Sequence, residues 1–147
     1  MDSVTQLVCP HCGGINRLPQ ARLADAPRCG SCKQALFTGQ PLAVSAEAFR
    51  RHLQHSGVPL LVDFWASWCA PCRAMAPEFA TAATLLEPGM RLLKLSTEEA
   101  PDVARDLNIS SIPTLALFAG GQERARRSGT MPARQIAAWA RQAAAGN

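Results

Sequence analysis

All six cysteines of this 147-residue chain fall into pairs in which two residues separate the thiols. The pairs are Cys9/Cys12, Cys29/Cys32 and Cys69/Cys72. Thiols at this spacing can hold a metal ion from one tight turn, or they can form and break a disulfide. Which chemistry each pair supports depends on the elements around it, and these surroundings differ along the chain.

The first two pairs have the spacing of a zinc site. Sixteen residues lie between Cys12 and Cys29, which is a recognised zinc-binding distance between two knuckles. Gly13 and Gly30 stand where such knuckles need a permissive backbone. We predict one structural zinc ion, since four protein thiolates leave no open position for a substrate, with the ligands Cys9, Cys12, Cys29 and Cys32. Two redox pairs that coincide by chance are the alternative interpretation.

The segment that carries these four cysteines has few large apolar side chains. We therefore expect that it cannot bury a core of its own, and pieces shorter than about 40 residues usually need a metal or disulfides to hold their shape. Thr38–Pro41 has the composition of a linker. The sequence predicts a small zinc-ribbon-like domain over residues 1–38 and a second domain over residues 39–147.

Cys69 and Cys72 lie between a strand and a helix. Val58–Ala66 is apolar on both alternating faces, which predicts a strand buried on both sides, as in the centre of an α/β sheet. A helix should follow Cys69, so its thiol stands at a helix N-terminus, where free N–H groups and the macrodipole lower its pKa. Cys72, one turn further in, should be more sheltered. This asymmetry suits disulfide exchange, in which an exposed thiolate attacks and a second thiol resolves the mixed disulfide.

The rest of the chain alternates between helical and strand patterns. Ser45 can cap a helix over residues 46–55, whose His52 and His55 are expected on its polar face without a specific role. We also predict a buried strand over 91–96, a short helix over 100–108, a hairpin over 114–129 and a last helix beginning near Pro132.

Residues from about 42 to 145 resemble thioredoxin. The resemblance rests on "VDFWASWCAPC", Pro77, "SIPT" at Ser111–Thr114, "LFAGG" at Leu117–Gly121 and Gly129. With four cysteines in front, the whole chain is similar to the zinc-binding thioredoxins, often called thioredoxin 2. The resemblance implies an α/β thioredoxin fold, a central mixed β-sheet flanked by helices, with a small N-terminal zinc-ribbon-like domain.

The same resemblance implies roles for the residues around the redox pair. Cys69 matches the attacking thiol and Cys72 the resolving thiol. Asp63 matches a buried carboxylate that assists proton transfer, and Lys94 the lysine near it. Because Asp63 stands in an otherwise apolar strand, desolvation should raise its pKa.

Further residues match the surface on which targets bind. Pro113 matches a cis-proline that turns the backbone of Ile112 outward, where an extended substrate can pair with it. Trp68 and Pro71 flank the attacking cysteine. Ala70 stands where most members have glycine, at a position that tunes the stability of dithiol against disulfide.

Location and partners follow from the same observations. The first residues have no signal-peptide pattern, and no apolar run approaches the roughly 20 residues that cross a bilayer, so we expect a cytoplasmic protein. The resemblance implies NADPH-dependent thioredoxin reductase as electron donor, disulfide-containing cytosolic proteins as substrates, and no organic cofactor in this chain. Because the net charge is only +4 and there is no basic arm, we do not expect nucleic acid as a partner. We expect no membrane partner either, and a monomer is the default expectation.

Two other functions stay open at this point. The zinc ribbon could be an adaptor that binds a partner, with the thioredoxin-like part as a scaffold. Alternatively, the knuckles could release zinc on oxidation and so sense redox stress.

Overall fold

The computed structural model of the chain describes residues 3–146. Its centre is a five-stranded sheet with the strand order β3-β5-β4-β6-β7, and β1 and β2 form a separate two-stranded sheet. The strands are β1 (Val4–Val8), β2 (Ile15–Pro19), β3 (Leu42–Ala43), β4 (Leu60–Trp65), β5 (Arg91–Ser96), β6 (Thr114–Ala119) and β7 (Gln122–Ser128). The helices are α1 (Ala46–His55), α2 (Ala70–Leu86), α3 (Pro101–Asp106) and α4 (Ala133–Ala145).

The five-stranded sheet is mixed, as predicted. β3 and β4 run parallel to β5, whereas β6 runs antiparallel to β4 and β7 antiparallel to β6. The central strand β4 is buried along almost its whole length, because helices cover both faces of the sheet. A strand in that position must be apolar on both alternations, which explains why the sequence pattern predicted it.

Successive side chains of the strands supply two separate cores. Leu61 and Leu92 pack with Phe79 of α2 and Ile136 of α4 on one face. Val62 and Leu93 pack with Phe49 of α1 and Val103 of α3 on the other face. Both faces are therefore closed, and the site residues must lie at an edge or at the strand ends.

The N-terminal segment buries more apolar surface than its sequence suggested. Leu7 and Leu36 are each 1% exposed, and they form a cluster with Cys9, Leu23 and Cys29. Val58, which precedes β4, belongs to the same cluster. The prediction that this segment buries no core was thus wrong, because its own leucines and cysteines supply most of this cluster and Val58 adds one side chain to it.

The prediction for His52 was also wrong. Its side chain is only 3% exposed, because the N-terminal hairpin packs against α1. Gly57 N donates to Gln6 O at 2.7 Å, and Gln6 Nε2 donates to His55 O at 3.1 Å. Burial, with Arg91 and Arg51 nearby, lowers the pKa of His52 to about 4.

Candidate active site

Cys69 and Cys72 lie where β4 leads into α2. Cys69 is the N-cap residue of α2, and its Sγ accepts a hydrogen bond from Cys72 N at 3.2 Å. The two cysteines form a disulfide, with their Cα atoms 5.3 Å apart. A first-turn N–H that has no partner within the helix therefore points at the sulfur of Cys69. This arrangement stabilises a thiolate after reduction.

Burial does not distinguish these two cysteines, although the sequence predicted an exposed Cys69 and a sheltered Cys72. They are 4% and 3% exposed in this disulfide form. A surface groove of about 560 Å³ distinguishes them instead, because it is lined by Cys69 and not by Cys72. Access to Cys69 thus comes from the groove that it lines.

The groove brings together most of the residues expected to bind targets. Trp68, Ala70, Pro71 and Ile112 line it, and Trp68 is 69% exposed. Cys69 Sγ lies 3.8 Å from Ile112 O. The Ile112–Pro113 peptide bond is cis, and Pro113 itself is buried behind the groove.

Asp63 is a buried carboxylic acid near the end of β4. It is 1% exposed, and its Oδ1 has no hydrogen-bond partner. Burial raises the pKa of Asp63 to about 7. Lys94, which stands opposite Asp63 on β5, opposes that rise. A carboxyl group that titrates near neutral pH can take up and release a proton at physiological pH.

Glu98 and Arg73, whose contacts no sequence pattern predicted, brace the loop before Cys69. Glu98 Oε1 accepts hydrogen bonds from Ser67 N at 2.7 Å and from Ser67 Oγ at 2.8 Å. Arg73 donates from Nη1 to Ser67 O at 2.7 Å. The loop that carries Trp68 is therefore held between β5's end and the first turn of α2. Only a spatial contact reveals these residues, because no spacing or periodicity marks them.

The four remaining cysteines form one cluster. Their Sγ atoms all lie within 4.8 Å of one another. Backbone N–H groups of His11, Gly14 and Ser31 point at these sulfurs at 3.3–3.4 Å, as in knuckles that stabilise thiolates. An all-sulfur donor set that can close tetrahedrally around one ion suits zinc.

Asn16 bonds to both knuckles, because its Nδ2 also donates to Gly14 O at 3.4 Å, and no sequence pattern predicted this. Its Oδ1 accepts from Gly30 N at 2.9 Å, and its Nδ2 donates to Cys29 Sγ at 3.5 Å. Asn16 lies on β2, so the hairpin supports the second knuckle as well as the first.

Comparisons with known proteins agree with this geometry. The family model described as Thioredoxin matches residues 40–142, and the model described as Thioredoxin 2, N-terminal, a zinc ribbon, matches residues 8–34. The chain belongs to the thioredoxin family. It is therefore a thiol–disulfide oxidoreductase, with a zinc-ribbon segment in front of the thioredoxin sheet.

Individual relatives cover most of the chain. Thioredoxin C-3 of Corynebacterium nephridii is 39% identical over 133 residues, which are 90% of this chain and 91% of that protein. The M-type chloroplastic thioredoxin of Chlamydomonas reinhardtii is 36% identical and covers 78% of this chain and 84% of its own length. The crystal structure of chloroplastic thioredoxin z superposes with a TM-score of 0.66 at 30% identity, over 73% of this chain and 96% of that one.

A mutant thioredoxin from Halobacterium salinarum has the same TM-score, 0.66, at 22% identity, over 76% of this chain and 96% of that one. That likeness shows the fold, which is the predicted thioredoxin fold. Within residues 3–146, no helix combines the length and the apolar character needed to cross a membrane.

Proposed function

We propose that the chain is a cytoplasmic protein-disulfide reductase of the thioredoxin 2 type, which acts by dithiol–disulfide exchange through Cys69 and Cys72. One observation supports this most directly: the cysteine pair opens at a helix N-terminus onto a groove. A buried carboxylic acid in the neighbouring strand supplies a proton acceptor.

The first step is attack by Cys69. In the reduced protein, the Cys72 N–H and the α2 macrodipole stabilise the Cys69 thiolate. This thiolate attacks one sulfur of the target disulfide, the target S–S bond breaks, and the other target sulfur leaves as a thiolate that takes a proton from water. The product is a mixed disulfide between Cys69 and the target.

The second step releases the reduced target. Asp63 accepts the proton of the Cys72 thiol, and the Cys72 thiolate attacks Cys69 Sγ. The mixed disulfide breaks, the second target sulfur leaves as a thiolate that takes up the proton from Asp63, and the disulfide seen here forms. Two electrons pass from the dithiol to the target. Lys94 favours the ionised form of Asp63 and so helps Asp63 to release the proton again.

Targets bind in the groove as extended segments. Ile112 offers backbone hydrogen-bonding groups to such a segment, and Pro113 fixes the direction of that backbone. The exposed Trp68 ring, with Ala70 and Pro71, forms the apolar wall around Cys69.

The four remaining thiols would hold one structural zinc ion within a domain of residues 1–38, and the thioredoxin domain would cover residues 39–147. Bound zinc would supply folding energy to the ribbon. The oxidised pair is reduced again by NADPH-dependent thioredoxin reductase, so this chain itself needs no organic cofactor. We expect a monomer that binds neither nucleic acid nor membranes.

Insulin reduction tests the proposed roles of the two thiols. Cys69→Ser should abolish reduction, because the attacking sulfur is gone. Cys72→Ser should instead accumulate mixed disulfides with target proteins, visible as gel bands that dithiothreitol removes. Full insulin reduction by Cys69→Ser would contradict the proposal.

A further inference from the structure

Arg91 is a buried cation at the first position of β5. Its side chain is 3% exposed, yet the ion pairs within residues 3–146 do not include it. Placing a guanidinium in a protein interior is strongly unfavourable unless negative charge compensates for it. The compensating group must therefore lie among the residues around it.

The N-terminal segment supplies most of the surroundings of Arg91. Its Nη2 donates to Val8 O at 3.3 Å, and its guanidinium lies over the Phe37 ring, 4.2 Å from the centroid. Burial lowers the pKa of Arg91 to about 10, while two groups oppose that change, Glu87 and Cys9. His52 also faces this region, and its lowered pKa keeps it uncharged near neutral pH.

Glu87 compensates for the charge of Arg91 only in part. Its Oε1 accepts from Gly39 N at 3.0 Å, and its Oε2 is buried without a partner. Burial raises the pKa of Glu87, and no ion pair in the described part of the chain joins it to Arg91. Cys9 is the other source, and it belongs to a cluster of four thiols. A zinc ion with four thiolates would formally be a dianion. Its buried ligand Cys9 follows directly on Val8, whose carbonyl Arg91 bonds.

We propose that Arg91 of the thioredoxin sheet is the counter-cation of the zinc–tetrathiolate centre and also positions its first knuckle. The hydrogen bond to Val8 O fixes the backbone immediately before Cys9. The positive charge offsets part of the dianion on the buried side of the cluster, where Cys9 is 2% exposed. This inference rests on the proposed zinc binding, and it assigns to the larger part of the chain a direct share in metal affinity.

Arg51 offers a matched control. It also bonds the first knuckle from outside, because its Nε donates to Gly13 O at 2.7 Å. Its side chain is exposed to solvent, however, so water screens its charge. If burial of the charge matters, replacing Arg91 must weaken zinc binding more than replacing Arg51.

The experiment is a competition for zinc between a chromogenic chelator and the reduced, zinc-loaded full-length protein. Arg91→Met should weaken zinc binding about 10- to 100-fold, the range found for outer residues of metal sites. Arg51→Met should change it less than about threefold. Arg91→Lys should bind zinc more tightly than Arg91→Met, since it keeps the charge but loses the planar fork.

The outcomes separate this inference from the proposed zinc site. A wild-type protein that contains no zinc when purified under reducing conditions would overturn both. Zinc in the wild type, with equal affinity in Arg91→Met, or with Arg91→Lys as weak as Arg91→Met, would overturn the counter-cation role alone. If Arg91→Met does not fold, Arg91→Gln takes its place: it must bind zinc more weakly than Arg91→Lys and Arg51→Met, and equal affinities in the three variants would overturn the inference.

Discussion

Asp63 and Lys94 stand opposite each other on the parallel strands β4 and β5, but they do not form an ion pair. Lys94 Nζ lies over the Trp65 ring, 4.8 Å from its centroid, and Asp63 Oδ1 has no partner. The carboxyl group is thus buried beside a cation that attracts it without binding it. Burial raises its pKa, and Lys94 offsets only part of that rise.

Asp63 should make stability depend on pH. Its pKa in the folded chain, about 7, lies above the ordinary value of 3.8. Between these values the unfolded chain binds fewer protons than the folded one, so stability falls as pH rises from about 4 to 7. Asp63→Asn should therefore stabilise the oxidised protein at pH 8 by roughly 4 kcal/mol and much less at pH 4. Urea unfolding of both proteins at the two pH values measures this, and an equal gain at both would contradict it.

Asp63 should also control the second step of disulfide exchange. Without a proton acceptor, Cys72 ionises slowly, and the mixed disulfide should resolve on the order of 10²-fold more slowly in Asp63→Asn at pH 7. The wild-type rate should show an inflection near pH 7 that the variant lacks. Single-turnover release of a thiol from a preformed mixed disulfide gives the rate. If Asp63→Asn keeps the wild-type pH profile, Asp63 does not take part in the proton transfer.

The brace between Glu98 and Ser67 should affect how targets bind. Glu98→Gln weakens the two hydrogen bonds that hold the loop of Trp68, and we expect KM for a protein disulfide to rise about fivefold, the effect of one lost hydrogen bond. Glu99→Gln is the matched control, because Glu99 is the exposed neighbour and its side chain is not part of this brace. Steady-state kinetics with insulin measure both, and equal KM values would show that the brace does not influence binding.

Removal of zinc should separate stability from catalysis. The four cysteines of the cluster share no residue with the groove around Cys69, so the reduced, chelator-treated protein should keep most of its insulin-reducing activity. Its Tm should fall, because the ribbon loses the ion that folds it and Val58 loses part of its packing. Circular dichroism melts and the insulin assay on the same sample test this, and an unchanged Tm would contradict it.

Local patterns explain why much of the fold and site could be predicted. Each signal that predicted an element correctly depends on a few neighbouring residues. Examples are the spacing of the thiols, the N-cap Ser45 and the apolar run before Cys69. Such signals survive in a single sequence because helix caps, strands and knuckles depend on nearby residues. The division into domains at residue 38 stays a prediction.

The sequence by itself determined that one cysteine pair begins a helix while the other four thiols have metal-site spacing. Only the tertiary structure decided which distant residues serve them: Arg91 beside Cys9, Glu98 on Ser67, and His52 buried under the hairpin. These contacts join residues 31 or more positions apart, and nothing periodic marks them. The surroundings of Arg91 and His52 arise because the ribbon packs on α1 and on the start of β5. Glu98 meets Ser67 because the parallel strands β4 and β5 end at the same edge of the sheet.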